Sequence, residues 1–223
     1  IKDTERYEES IEYFMEILKR FQELNQIPRI ILCFHKYDPG NEDDPEYQLH
    51  YDRLSEKFRK LMEIYKYPLK IYKTSIFNEY SLMKSFSAGI TSMSPNKKIF
   101  KKQLQQFASL IEAKSLLLVN DQSIILGAFS LDEETGKITE MTVPYFQNLF
   151  KTFQQFNILT DNKAVWLMEN KKLYFDKFSI TGKVKENYYL LYLVEESNDN
   201  RKIFEENFSD LKNKIEPLLE TFI

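Results

Sequence analysis

Apolar side chains recur at steps of four and three through Tyr7, Ile11, Phe14, Leu18 and Phe21. That spacing lays one face of an α-helix over residues 4–24. Pro28 then introduces a continuous apolar run, RIILCF, ending at Phe34. Such a run suits a strand buried on both faces, as in a parallel sheet, with Cys33 a small buried hydrophobe inside it. Residues 35–44 carry Pro39, Gly40 and a cluster of Asn and acidic side chains, and read as a loop. A second helix is predicted over 45–65, with Pro45 in its first turn, where a missing N–H costs least. Its stripe is Tyr47, Tyr51, Leu54, Phe58, Leu61 and Ile64. Pro68 stops it, LKIYKTSI (69–76) is the next strand, and a third helix covers 79–93. Helix, strand, helix, strand, helix marks an α/β layered fold. Two strands are too few for an independent sheet of this kind, so further strands are expected upstream.

Beyond Pro95 the rhythm changes. A helix over 97–112 carries Phe100, Leu104, Phe107 and Ile111. Two apolar runs, SLLLVN and SIILGAFSL, follow around an Asn120-Asp121 turn signal. A helix over 143–156 places Phe146, Leu149, Phe150 and Phe153 at helical spacing. Three strands are expected at 164–168, 172–180 and 187–195, turning at Glu169-Asn170 and Thr181-Gly182. A last helix over 200–222 contains Pro217, which should kink or loosen its final turn. The hairpins predict a five-stranded antiparallel sheet with helices packed on it. The chain is thus read as an α/β domain over 1–94 and an α+β domain over 95–223.

Composition narrows the function classes. The chain has 223 residues, 43% hydrophobic and 15% aromatic, enough for two packed cores. Its net charge is -3, and 14 basic and 16 acidic side chains before Ser94 become 17 and 18 after it. Neither part is a basic footprint for nucleic acid. A single cysteine excludes a disulfide within the chain and fits a reducing compartment. No apolar run reaches transmembrane length, and charge directly after Ile1 argues against a signal peptide. The opening on Ile1 rather than Met suggests that the sequence begins inside a longer protein.

Chemistry concentrates where the two predicted strands end. In open α/β sheets ligands sit beyond the carboxyl ends of strands. The first strand ends at Phe34-His35-Lys36-Tyr37-Asp38, the second at Lys73-Thr74-Ser75-Ile76. An aspartate held at such an end can accept hydrogen bonds from the N1–H and exocyclic amine of guanine, a pair of donors adenine lacks. A lysine two residues earlier can lie along base and ribose, and backbone N–H groups of the second loop can donate to guanine O6. In this order, with a helix between, the two motifs reinforce each other. Two histidines and one cysteine are too few for a zinc site, and Asp43, Asp44 and Glu46 lack the glycine and terminal glutamate of an EF-hand.

With His35-Lys36-x-Asp38 and Thr74-Ser75-Ile76-Phe77, the chain resembles the Rag/Gtr family of small GTPases. That family has His where most small GTPases have Asn, and Thr-Ser-Ile before an aromatic residue. The segment LMKSFSAGI (82–90) and the pair Phe107-Ala108 with Ile111-Glu112-Ala113 extend the likeness. The resemblance implies the back half of a P-loop-type G domain over 1–94 and a roadblock (longin-like) domain over 95–223. It implies guanine-base contacts by His35, Lys36, Asp38, Thr74, Ser75 and Ile76, and GTP or GDP as ligand, with Mg²⁺ in the intact protein. Roadblock domains pair through the central helix and an edge strand. By position these give Phe146, Phe150 and Phe153, with Val165, Trp166 and Leu167, as interface candidates. Phe146, Phe150 and Phe153 can equally cover their own sheet, and Trp166 reads first as a core residue.

The implied partner is another Rag/Gtr-type subunit, in a homo- or heterodimer, with adaptor or scaffold proteins. The implied setting is nutrient-responsive growth control, in the target-of-rapamycin pathway, at the lysosomal or vacuolar membrane. The glycines at 40, 89, 127, 136 and 182 do not form a Gly-x4-Gly-Lys-Ser/Thr phosphate loop. The chain by itself is therefore not expected to hydrolyse GTP. The alternative from another class is a pseudo-GTPase scaffold that assembles protein complexes without nucleotide turnover.

Overall fold

The computed structural model describes residues 5–41, 43–158, 162–181, 185–196 and 200–220. Gly182, at one expected turn, lies outside them. The chain divides into two compact units, Ile1–Ser85 and Phe86–Ile223. The division falls inside the third helix.

The first unit runs α1 (Glu5–Glu23), β1 (Ile30–Phe34), α2 (Pro45–Tyr65), β2 (Leu69–Lys73) and the start of α3 (Glu79–Met93). β1 and β2 pair in parallel, from Ile30 opposite Leu69 to Phe34 opposite Lys73. Asp44 caps α2 by accepting from the N–H groups of Glu46 and Tyr47, with Pro45 in the first turn. Lys66, in the left-handed region, closes the other end with its N–H on the Met62 carbonyl. Ile11, Phe34, Leu54 and Phe58 form the core, with Leu32 and Ile71 against it. Phe14 meets Phe58 edge to face at 4.9 Å. Strand alternation points Leu32 and Phe34 to α1 and α2 and turns Cys33 away. Cys33, expected to be buried, is exposed. A run that is apolar at every position does not reveal which of its two faces a given chain covers.

The second unit contains α4 (Lys97–Leu110), β3 (Ser115–Asn120), β4 (Ile125–Ser130), α5 (Glu133–Gln155), β5 (Lys163–Met168), β6 (Lys171–Thr181), β7 (Lys185–Glu195) and α6 (Asn200–Glu220). Its sheet has the order β4-β3-β7-β6-β5, antiparallel throughout. α4 and α6 cover one face, where Phe100, Leu104 and Phe107 meet Leu116, Leu118, Tyr192, Phe204 and Leu211. α5 covers the other face, stacking Phe146 on Phe175 at 5.3 Å. Gly127 on β4 makes room for α4, because a Cβ there would stand 2.5 Å from Leu104 Cδ1 and 2.7 Å from Phe100 Cδ1. Asp176, buried in β6, binds Arg201 of α6 through two hydrogen bonds of 2.7 and 2.8 Å.

α5 begins ten residues before Val143, where the apolar periodicity starts. Its first part, EETGKITEMT, is rich in Thr and holds Gly136, so helical propensity is weak there. Capping and side-chain bonds offset this. Asp132 Oδ1 accepts from the Thr135 N–H at 2.7 Å, Thr139 Oγ1 donates to the Thr135 carbonyl at 2.9 Å, and Thr142 Oγ1 to that of Thr139 at 2.8 Å. Pro144 lies inside the helix, as Pro217 does in α6. Among the described residues no helix is long and apolar enough to cross a membrane.

Candidate functional site

The parallel pairing of β1 and β2 brings their carboxyl ends side by side. The ladder continues past the strands: the Thr74 N–H donates to the Phe34 carbonyl at 2.9 Å, and the Tyr37 N–H to the Thr74 carbonyl at 3.0 Å. The loops after the two strands are therefore tied through the backbone before any side chain acts. Lys36 takes φ 63°, in the left-handed region. For a residue with a Cβ that conformation costs roughly 1–2 kcal/mol. Tyr47 Oη of α2 donates to the Lys36 carbonyl at 2.5 Å and holds the turn.

Side chains then lock the loops. Ser75 Oγ, fully buried, donates to Asp38 Oδ1 at 2.5 Å. The same oxygen accepts the Phe77 N–H at 3.0 Å. The Ser75 N–H donates to Ser81 Oγ at 3.0 Å, and Asn78 Oδ1 accepts the Ser81 N–H at 3.1 Å at the start of α3. His35 Nδ1 lies 3.3 Å from Thr74 Oγ1, joining the loops a second time. His35 and Lys36 are exposed, Asp38 is half-buried and Thr74 is buried.

The consequence is selective. Asp38 has one carboxylate oxygen fixed by Ser75 and, among the described residues, none holding Oδ2. In the second loop the N–H groups of Thr74, Ser75 and Phe77 are all consumed internally. That of Ile76 has no acceptor among the described residues. The site thus offers an oriented carboxylate, one free backbone donor and an exposed lysine stem, a set matched to a planar base with adjacent donors and an acceptor.

The second unit presents its own candidate surface. β5 is an edge of the five-stranded sheet. Val165, Trp166 and Leu167 on it are 47%, 59% and 66% exposed, so Trp166 is not the core residue the sequence suggested. An edge strand lacks neighbours on one side; Trp166 pairs with Leu173 and meets the Phe146 ring edge-on at 6.1 Å. Phe146 and Phe150, by contrast, are 6% and 2% exposed and rest on Phe175, while Phe153 is half-buried. Phe146 and Phe150 cover their own sheet; the exposed apolar side chains of α5 include Tyr145 and Leu149 instead.

The model of the Gtr1/RagA G protein conserved region matches residues 1–142. The chain belongs to the Gtr1/RagA family. No curated protein matches it. Among solved structures, this Gtr1/RagA chain is similar to Myxococcus xanthus MglB at 9% identity and a TM-score of 0.45, over 58% of this chain and 93% of that one. The gliding protein MglB from Thermus thermophilus gives 11% and 0.45, over 56% and 92%. A roadblock/LC7 domain from Streptomyces avermitilis gives 13% and 0.41, over 54% and 98%.

Sequence reasoning missed the support beneath the site in this Gtr1/RagA chain. Tyr47, Gln48, Tyr51 and Lys73 all contact the loop that carries Asp38 or its neighbour Tyr37. Tyr47 and Tyr51 were visible only as part of the apolar stripe of α2. Their one available signal is that tyrosine, rather than leucine, occupies the first two turns nearest the loop.

Proposed function

We propose that this chain carries the guanine-reading part of a Gtr1/RagA-type molecular switch. The observation that carries the reading is the Ser75–Asp38 hydrogen bond at the paired strand ends, with the Ile76 N–H left free beside it. Asp38 would accept from guanine N1–H and the exocyclic amine, Ile76 N–H would donate to O6, and the Lys36 stem would lie along base and ribose. His35 and Thr74 hold the two loops together. The phosphates of GTP or GDP, and Mg²⁺, would be held by residues outside this chain. The second unit would act as a roadblock-type pairing domain for another subunit of the family, through β5 and the exposed side of α5. Nutrient-responsive signalling at a lysosomal or vacuolar membrane follows from the family resemblance and belongs to the same proposal.

The test is fluorescent-nucleotide binding to the intact protein, comparing guanine and xanthine nucleotides before and after Asp38→Asn. The amide reverses the hydrogen-bond match at the base, where a bond to a charged group contributes about 1.5–3 kcal/mol. A change from guanine to xanthine preference is expected. A well-folded protein that binds neither nucleotide would favour a scaffold without nucleotide turnover.

A further inference from the structure

Lys73 ends β2, opposite Phe34 at the end of β1. Its ammonium does not extend into solvent. Nζ donates to Tyr37 Oη at 2.9 Å and to Gln48 Oε1 at 2.9 Å. Tyr37 Oη in turn donates to Gln48 Oε1 at 2.9 Å, closing a three-membered ring of hydrogen bonds. The ammonium also lies 4.3 Å from the centroid of the Tyr37 ring and 4.1 Å from that of Tyr51. Among the described residues no carboxylate forms an ion pair with it. A half-buried cation without an anion is costly, and here two aromatic faces and two neutral oxygens take the place of water.

What this cation grips matters. Tyr37 is buried and stands between Lys36 and Asp38, the two side chains proposed to meet the base. Its ring packs edge-on against Tyr47 at 5.1 Å and Tyr51 at 5.8 Å. Tyr47 holds the strained Lys36 carbonyl. Lys73 therefore joins three things: the end of β2, the first turns of α2 and the middle of the Asp38 loop. Ser75 locks Asp38 from the side of the second loop, and Lys73 locks the same loop from beneath.

We propose that Lys73 is a positioning residue for guanine recognition: through the cage of Tyr37, Tyr51 and Gln48 it fixes the Lys36–Asp38 loop in its base-reading form and so slows nucleotide release. The inference rests on the base-reading role of Asp38 proposed above. Without the cation, the Tyr37 hydroxyl keeps Gln48 but loses the donor it accepts from, its ring loses one contact, and the loop gains freedom that nucleotide binding must then remove.

The experiment follows release of a fluorescent guanine nucleotide from the intact protein, chased with unlabelled nucleotide. Lys73→Met is expected to release it roughly ten- to a hundredfold faster, the range set by losing a charge-assisted hydrogen bond. Guanine should still be preferred over xanthine, because Asp38 is unchanged. Lys73→Arg keeps charge, donors and the stacking face, and should recover most of the slow release. Gln48→Ala, which leaves the cation in place, should be intermediate and carries the test should Lys73→Met not fold. A Lys73→Met release rate within about twofold of the parent, or equal rates for the Met and Arg variants, overturns the inference while leaving the base-reading proposal standing. If instead the parent shows no guanine preference, or Asp38→Asn leaves that preference unchanged, the base reading fails and the role of Lys73 fails with it.

Discussion

Ser75 makes two bonds with one hydroxyl, donating to Asp38 and accepting from Phe77 N–H, at a position closed to solvent. Removing it leaves Asp38 free to rotate and a backbone donor unpaired. Ser75→Ala in the intact protein should therefore weaken guanine-nucleotide binding by roughly ten- to a hundredfold, the equivalent of about 1.5–3 kcal/mol. Equilibrium titration with fluorescent nucleotide reads this directly, and an unchanged affinity would show that Asp38 is oriented without it. Asp38, Thr74 and Ser75 stood out in the sequence only as a pair of strand-end motifs in order, with a helix between and a family likeness behind them; the structure brings the three side by side. Their supports did not stand out. Lys73 looks like any strand-terminal lysine, and its cage exists only once α2 folds over the loop. The Ile76 N–H, without an acceptor among the described residues, is a backbone property that no side-chain pattern records.

Among the elements, α4 and β4 approach closely because Gly127 has no side chain. The neighbouring Phe100 and Leu104 are themselves fully buried and cannot swing away. Gly127→Ala should cost about 1–3 kcal/mol through overpacking, read as a lower urea midpoint for the second unit at unchanged slope. Strand β7 adds a dependence on pH. Burial pushes the phenols of Tyr188, Tyr189 and Tyr192 well above the ordinary tyrosine value, aided at Tyr188 by Glu186 and at Tyr189 by Asp121. A phenol raised in the folded state stays protonated while its unfolded counterpart ionises. Stability should therefore be unaffected below about pH 10 and fall as pH rises beyond it. Alkaline titration should show phenolate absorbance from these residues appearing together with unfolding rather than before it. The order of elements was legible from periodicity, since every predicted helix and strand has a counterpart. The start of α5 was not, because threonine hydroxyls bonded to the turn behind them stabilise a stretch whose propensity is poor.

For the whole molecule the β5 edge, with its exposed apolar side chains, is the surface offered for pairing in the proposal above. For Phe146, Phe150 and Phe153 helical spacing alone leaves open whether the stripe faces a partner or its own sheet, and Phe146 and Phe150 rest on Phe175 of the sheet. The exposed apolar residues here include Val165, Trp166 and Leu167 of the edge itself, with Tyr145 and Leu149 on α5. If pairing runs through β5, Trp166→Lys should abolish self-association, or association with a second family member, in sedimentation velocity. Its melting temperature should stay near that of the parent, because Trp166 is largely outside the core. A dimer that survives the charge would place the interface elsewhere.

Cys33 is the chain's one thiol, and it is exposed on the strand that leads into the Asp38 loop. A maleimide dye would therefore attach to this chain once, at a known spot. Anything that comes to lie over that side of β1, whether more of the same polypeptide or a bound protein, would slow the attachment. The exposed sulfur makes the protein its own reporter of whether that side is covered.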